Sequence, residues 1–272
     1  MKGYVGMSKD SIYSRDSIRL ELDRLGLSSA ELYFFEEIGS TNTEIKRCYS
    51  AGEIPNAPAL FVARRQTAGR GRLGRSFESP DAGIYASVLL PGEIDGAVLT
   101  AYVAVMAAEA IEEITGATLD IKWVNDLYLS GRKLAGILAE GIINAESGKI
   151  EASVIGIGIN VLKADFPEEI ANIAISLEEA TGIAFSRAKI VALVAKKLIK
   201  ELSLRAPDEL IRKYKSKSNL LGKTVRVTRG NESFFARAID INEKAELIVE
   251  SETGERIALN SGEVSAKIKE DN

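Results

Sequence analysis

The sequence predicts an α+β protein: helices and strands mixed to about residue 220, then a small all-β unit. Two observations predict it. Up to that point, apolar runs with helical spacing alternate with short strand-like runs. After Gly222 the runs shorten and turn residues recur between them, the pattern of a small β-barrel of about fifty residues. No internal repeat or low-complexity tract competes with this reading.

Each element has its own signal. Ile12, Ile18, Leu20, Leu22 and Leu25 stand among charges and predict one short helix or a pair, closed by Gly26. Leu32–Ile38 reads as a strand. Ser40-Thr41-Asn42 supplies N-cap chemistry for a helix through about Tyr49. Ala59–Arg65 is strand-like, Gln66–Asp81 is a polar loop rich in Gly and Arg, and Gly83–Leu90 is a strand closed by Pro91-Gly92. Ala97–Ile114 is a long Ala/Val/Ile-rich helix with Gly116 just past its end. Leu119–Trp123, Lys133–Ile143 and Ile150–Ile159 read as strands, the last two joined near Ser147-Gly148. Ser186–Leu204 and Pro207–Ser216 are amphipathic helices, with Pro207 in a first turn. Four short runs follow: Thr224–Thr228, Phe234–Ile241, Leu247–Glu250 and Arg256–Leu259.

Composition removes several chemistries. Of 272 residues, 46% are hydrophobic, enough for a real core; 35 basic and 39 acidic residues leave a net charge of −4, which argues against general nucleic-acid binding. The chain has no histidine, so no imidazole base, triad member or metal ligand is available. Its one cysteine, Cys48, excludes an internal disulfide and reads as a small, partly buried hydrophobe. No apolar run reaches the ~20 residues of a membrane span, and the start lacks a signal-peptide core, so a cytoplasmic protein is expected.

Three segments carry candidate chemistry. In Gln66-Thr67-Ala68-Gly69-Arg70-Gly71-Arg72-Leu73-Gly74-Arg75-Ser76-Phe77, glycines permit tight curvature while guanidinium forks and backbone N–H groups suit a phosphate or carboxylate. A solvated turn is the plain alternative. Gly69, Gly71 and Gly74 match the dinucleotide fingerprint formally, but that fingerprint must open a helix, and this loop runs into a strand. Leu221-Gly222-Lys223-Thr224 imitates the end of a P-loop, but Lys217 stands where the earlier glycine is needed. The second segment is Lys122-Trp123-Val124-Asn125-Asp126, then Arg132-Lys133-Leu134-Ala135-Gly136-Ile137-Leu138. A strand-edge lysine is often only a charged guard, and Trp123 alone reads as core. The third is Gly156-Ile157-Gly158-Ile159-Asn160, where glycines in a strand allow close backbone approach or tight packing.

Together these segments resemble the biotin protein ligase family, whose motifs they follow in order from about residue 33 to the end. Gly262-Glu263-Val264-Ser265 is similar to its C-terminal motif. Two positions depart: Val124 replaces a proline, and Phe77 replaces a tryptophan. The resemblance implies a class II synthetase-like catalytic domain, a mixed sheet with flanking helices, followed by an SH3-like β-barrel. It divides the chain into a short extension (1–30), a biotin/ATP-binding domain (31–220) and a C-terminal domain (221–272). It implies ATP and biotin as substrates, Mg²⁺ as the metal, and a biotinyl-5'-AMP intermediate whose biotin passes to a lysine of a biotin carboxyl carrier protein. Neither step needs histidine.

By position, the resemblance implies that Ser40, Thr41 and Gln66 hold the ureido ring, with Asn42 as buttress. Gly69, Arg70, Gly71 and Arg72 close over biotin and the acyl phosphate, with Gly156 and Gly158 along the valeryl tail. Arg75, Phe77, Lys122, Asn125, Asn160 and Lys267 fall on the ATP side. Lys133 sits where the carboxylate meets phosphate, and Asp126 is the candidate Mg²⁺ or orienting carboxylate. Some family members carry an N-terminal winged helix-turn-helix; only about thirty residues precede the resemblance here, so the form without a DNA-binding domain is expected. Family members often dimerise through a sheet edge. The rivals are a lipoate–protein ligase of the same fold and a biotin sensor without transfer activity.

Overall fold

The computed structural model describes residues 13–92, 96–229, 232–260 and 267–268. Helix α1 (Arg15–Arg24) leads into strand β1 (Glu31–Ile38), helix α2 (Thr41–Ser50), strand β2 (Ala59–Gln66) and strand β3 (Gly83–Pro91). The long helix α3 (Gly96–Thr115) precedes β4 (Asp120–Lys122), β5 (Asp126–Leu129), β6 (Arg132–Ile143) and β7 (Ile150–Asn160). These strands form one seven-stranded mixed sheet in the order β1-β2-β3-β7-β6-β5-β4. Its one parallel pair, β1 with β2, is joined through α2, the crossover that parallel neighbours require.

Alternation along the strands sorts side chains to two faces. In β2, Ala59 and Phe61 join Ile45 and Cys48 of α2, while Leu60 and Val62 join the main core with Leu99, Val103 and Met106 of α3. The main core also takes in Ile190, Val191 and Val194 of α6 (Arg187–Lys196), which continues as helical turns to Leu204. Cys48 is a buried free thiol, as expected. Helix α1 is no loose appendage: Ile18 and Leu22 are fully buried in this same core. The short elements β5, α4 (Glu168–Ala171) and α5 (Leu177–Thr181) escaped the sequence reading.

Helix α7 (Pro207–Ser216) leads to a second sheet, wholly antiparallel. It comprises β8 (Thr224–Arg229), β9 (Glu232–Ile241), β10 (Leu247–Ser251), β11 (Arg256–Leu259) and β12 (Lys267–Ile268), in the order β11-β10-β9-β8-β12. Val225, Val227, Ala236, Ala238, Leu247 and Val249 alternate inward and continue the main core. The segment Gly262–Ser265 lies outside the described residues. Among the described residues no helix is long and apolar enough to cross a membrane.

Candidate active site

Most of the expected site residues meet in one cleft on the α2 face of the large sheet. It is lined by Ser40, Thr41 and Asn42, by Gln66, by Arg70, Gly71, Arg72, Arg75 and Phe77 of the arginine loop, by Lys122, Trp123, Asn125 and Asp126, by Lys133, and by Gly136, Gly156 and Gly158. Strand register builds the floor. Gly156 lies between Ser87 and Leu138, and Gly158 between Tyr85 and Gly136. The intervening isoleucines, Ile155, Ile157 and Ile159, face the core. A Cβ at Gly156 would overlap the Asn42 amide, and one at Gly158 the Phe77 ring. The two glycines therefore let α2 and the loop come down onto the sheet.

The start of α2 is a hydrogen-bonded cluster rather than a plain cap. Ser40 occupies the N-cap position but makes no side-chain cap bond. Thr41 N and Oγ1 both donate to Gln66 Oε1, at 2.9 and 3.1 Å, and Gln66 Nε2 donates to Ser79 Oγ at 3.2 Å. Buried Ser87 sits 2.6 Å from both Thr41 Oγ1 and Asn42 Oδ1. Asn42 Nδ2 donates to Glu140 at 2.9 Å. Tyr85, Ser87 and Glu140 were not legible as site residues, because strand register alone brings them here.

The arginine loop folds on itself: Gly71 N donates to Arg75 O, Phe77 N to Gly69 O, and Arg70 bridges Ser76. Arg70 Nη1 lies 3.3 Å from Glu140, and Arg72 Nη1 reaches Asn125 Oδ1 at 3.4 Å. Burial pulls the Arg72 guanidinium below the usual arginine range, against the charge of Asp126 opposite. Phe77 lies over the floor glycines with Lys133 Nζ 5.9 Å from its ring.

On the facing wall, the Trp123–Val124 peptide bond is cis. Trp123 Nε1 donates to Ala245 O and Tyr214 Oη to Val124 O, each at 2.8 Å and buried. Asn125 Nδ2 donates to Ile137 O at 2.9 Å, and Ile137 N returns a bond to Asn125 O. Asp126 opens β5, and Lys133 Nζ stands 2.7 Å from its Oδ1. Lys122 lies 5.5 Å from the Tyr128 ring, and burial first, then the Asp126 charge, pushes that phenol up to about 12. Among the described residues no group of three His, Cys, Asp or Glu side chains gathers for a metal, and Asp126 is the one carboxylate lining the cleft.

Three expected residues stand apart. Gly69 sits in the loop's stem, and the side chain of Lys267 lies outside the described residues. Asn160 does not line the cleft: its amide donates to Ile175 O at 3.2 Å. The Ile173–Ile175 segment hydrogen-bonds both backbone groups of Lys133, so Asn160 braces the partner of the lysine-bearing strand.

Comparison with known proteins matches this arrangement. A family model described as the biotin/lipoate A/B protein ligase family covers residues 34–160, and one for the biotin protein ligase C terminal domain covers 220–267. The bifunctional ligase/repressor BirA of Bacillus subtilis is 32% identical over 93% of this chain and 79% of its own length. The biotin–[acetyl-CoA-carboxylase] ligase of Mycobacterium tuberculosis is 31% identical over 91% of this chain and 93% of its own. Among solved structures, the biotin protein ligase of Aquifex aeolicus in complex with biotin and ATP aligns with a TM-score of 0.77 and 30% identity, over 88% of this chain and 99% of that one.

Proposed function

The chain belongs to the biotin protein ligase family, and on that premise we propose that it joins biotin to a lysine of a biotin carboxyl carrier protein through biotinyl-5'-AMP. A biotin carboxylate oxygen attacks the α-phosphorus of ATP, and the bond to pyrophosphate breaks. The carrier's lysine amine then attacks the acyl carbon, AMP leaves with the bonding pair, and the amine's proton passes to solvent.

The residues' work is orientation and charge neutralisation. Thr41 and Gln66 offer hydrogen-bonding groups for the ureido ring, with Ser40 beside them. Lys133 meets the carboxylate and phosphate as they join. Arg70, Gly71 and Arg72 cover the intermediate, and Arg75, Phe77, Lys122 and Asn125 face the nucleotide. Mg²⁺ fits this donor set as an ion carried mostly by phosphate oxygens and water, with Asp126 as the protein carboxylate; bound there, it supplies charge neutralisation to the phosphates. Residues 31–220 would hold both substrates and 221–272 would brace them, with α1 as part of the same packed body. Association as a homodimer through a sheet edge is read by light scattering.

The observation that carries this reading is the convergence of Lys133, Arg72 and the Thr41–Gln66 pair on one cleft. The matching relatives named above are biotin ligases, which favours biotin over lipoate, and Lys133 at the cleft favours catalysis over sensing. Incubation with ATP, Mg²⁺, biotin and a carrier domain should add one biotin mass to the carrier. Exchange of pyrophosphate into ATP that depends on lipoate and not on biotin overturns the reading.

A further inference from the structure

Glu140, on β6, is a carboxylate that the reaction does not use, yet three donors converge on it. Lys46 Nζ lies at 2.8 Å, Asn42 Nδ2 at 2.9 Å and Arg70 Nη1 at 3.3 Å. They come from α2 and from the arginine loop, which are distant in sequence. Its side chain is 18% exposed, and a carboxylate that deep is costly unless its oxygens are satisfied. Burial acts to raise its pKa, but the Lys46 and Asn42 hydrogen bonds and the nearby Arg70 charge hold it below the usual carboxylate range. It is therefore an anion when the cleft is at work.

An anion at this place does two things. It gives Arg70 a partner on the sheet, which pins the start of the loop beside the floor. It also fixes which way Asn42 points. With Nδ2 committed to Glu140, Oδ1 faces Ser87, and the Ser87 hydroxyl must donate to it. The same Ser87 oxygen lies 2.6 Å from Thr41 Oγ1, whose own proton goes to Gln66 Oε1. Asn42, Ser87 and Thr41 thus form one chain of contacts from Glu140 to the cleft, and turning the Asn42 amide would disturb Thr41 with it.

We propose that Glu140 is a positioning residue that sets the loop through Arg70 and the Thr41 hydroxyl through Asn42 and Ser87. The loop arm stands without the ligase reading; the ligand arm rests on it. In the unliganded protein, tryptic cleavage after Arg72 and Arg75 reports how firmly the loop is held. Glu140→Gln keeps shape and an acceptor but removes the charge. It should speed that cleavage and weaken biotin binding, each by roughly ten-fold for a half-buried ion-pair network. The double variant with Arg70→Gln should cleave no faster than Glu140→Gln alone, because both break the same tie. Lys46→Met removes a donor to Glu140 without touching the loop and should leave cleavage at the wild-type rate. The proposal is overturned if Glu140→Gln cleaves like wild type, or if Lys46→Met speeds cleavage as much. Should Glu140→Gln melt early, Arg70→Gln tests the same tie from the loop side, with slow cleavage as the refuting result. Wild-type protein that binds no biotin sinks the ligase reading and leaves the cleavage result standing.

Discussion

On one side of the cleft the Trp123–Asn125 turn hangs from buried, neutral hydrogen bonds; on the other the Gly69–Phe77 loop is tied to the sheet through the half-exposed Arg70. The turn is gripped from behind by Tyr214 of α7 and by Ala245 of the second sheet, both buried. The loop holds itself by its own backbone bonds and touches its surroundings through Arg70, Arg72 and the Phe77 ring over the floor glycines. Buried neutral bonds are costly to break and insensitive to salt. Exposed ion pairs are worth less and are screened. A ligase needs both kinds of wall: one to hold the nucleotide in register, one to open for substrates and close over a labile anhydride.

The largest effect should come from the charge between the walls. Lys133→Ala should cut biotin-dependent pyrophosphate exchange by roughly 10²–10³, as for loss of one preorganised electrostatic donor, with melting unchanged. Near-normal exchange contradicts the lysine's role. Next, Tyr214→Phe leaves the Val124 carbonyl buried without its donor, at a cost of about 1–3 kcal/mol in denaturant unfolding. No change in the midpoint would mean that the turn is not held from behind. Third, Arg72→Ala should release biotinyl-5'-AMP to solution roughly ten-fold faster while moving the unfolding midpoint little, as expected for a contact made mainly with the bound intermediate. A Tyr214→Phe variant that leaked equally would erase the distinction between the walls. The smallest effect is that of salt: raising it should modestly speed tryptic cleavage of the loop and leave the unfolding midpoint nearly unmoved. The reverse pattern would place the screened contacts in the wrong wall.

Much of this was written in local patterns. The alternation of glycine and isoleucine in Gly156–Asn160 marks a strand with a bare face, and the arginine loop announces its charge directly. The strand Asp126–Leu129 goes unread because four residues are too few positions to show a period. Helices of four and five residues, α4 and α5, fail for the same reason. Glu140, Ser87 and Tyr85 enter the site only through pairing between β3, β6 and β7, a property of register that no stretch of sequence carries alone. The resemblance places Asn160 on the ATP side, a role no local pattern carries, and in the fold its amide donates to Ile175 O.

Trp123 is the chain's one tryptophan, its ring edges the cleft, and its indole N–H is committed to the second sheet. Excited at the red edge of the band, where the eight tyrosines absorb little, the unmodified protein therefore emits from a single indole at the seam between substrate pocket and β-rich tail. Filling the pocket, or prying the tail away, would each shift its colour, so every step of the reaction cycle can be watched without attaching a dye.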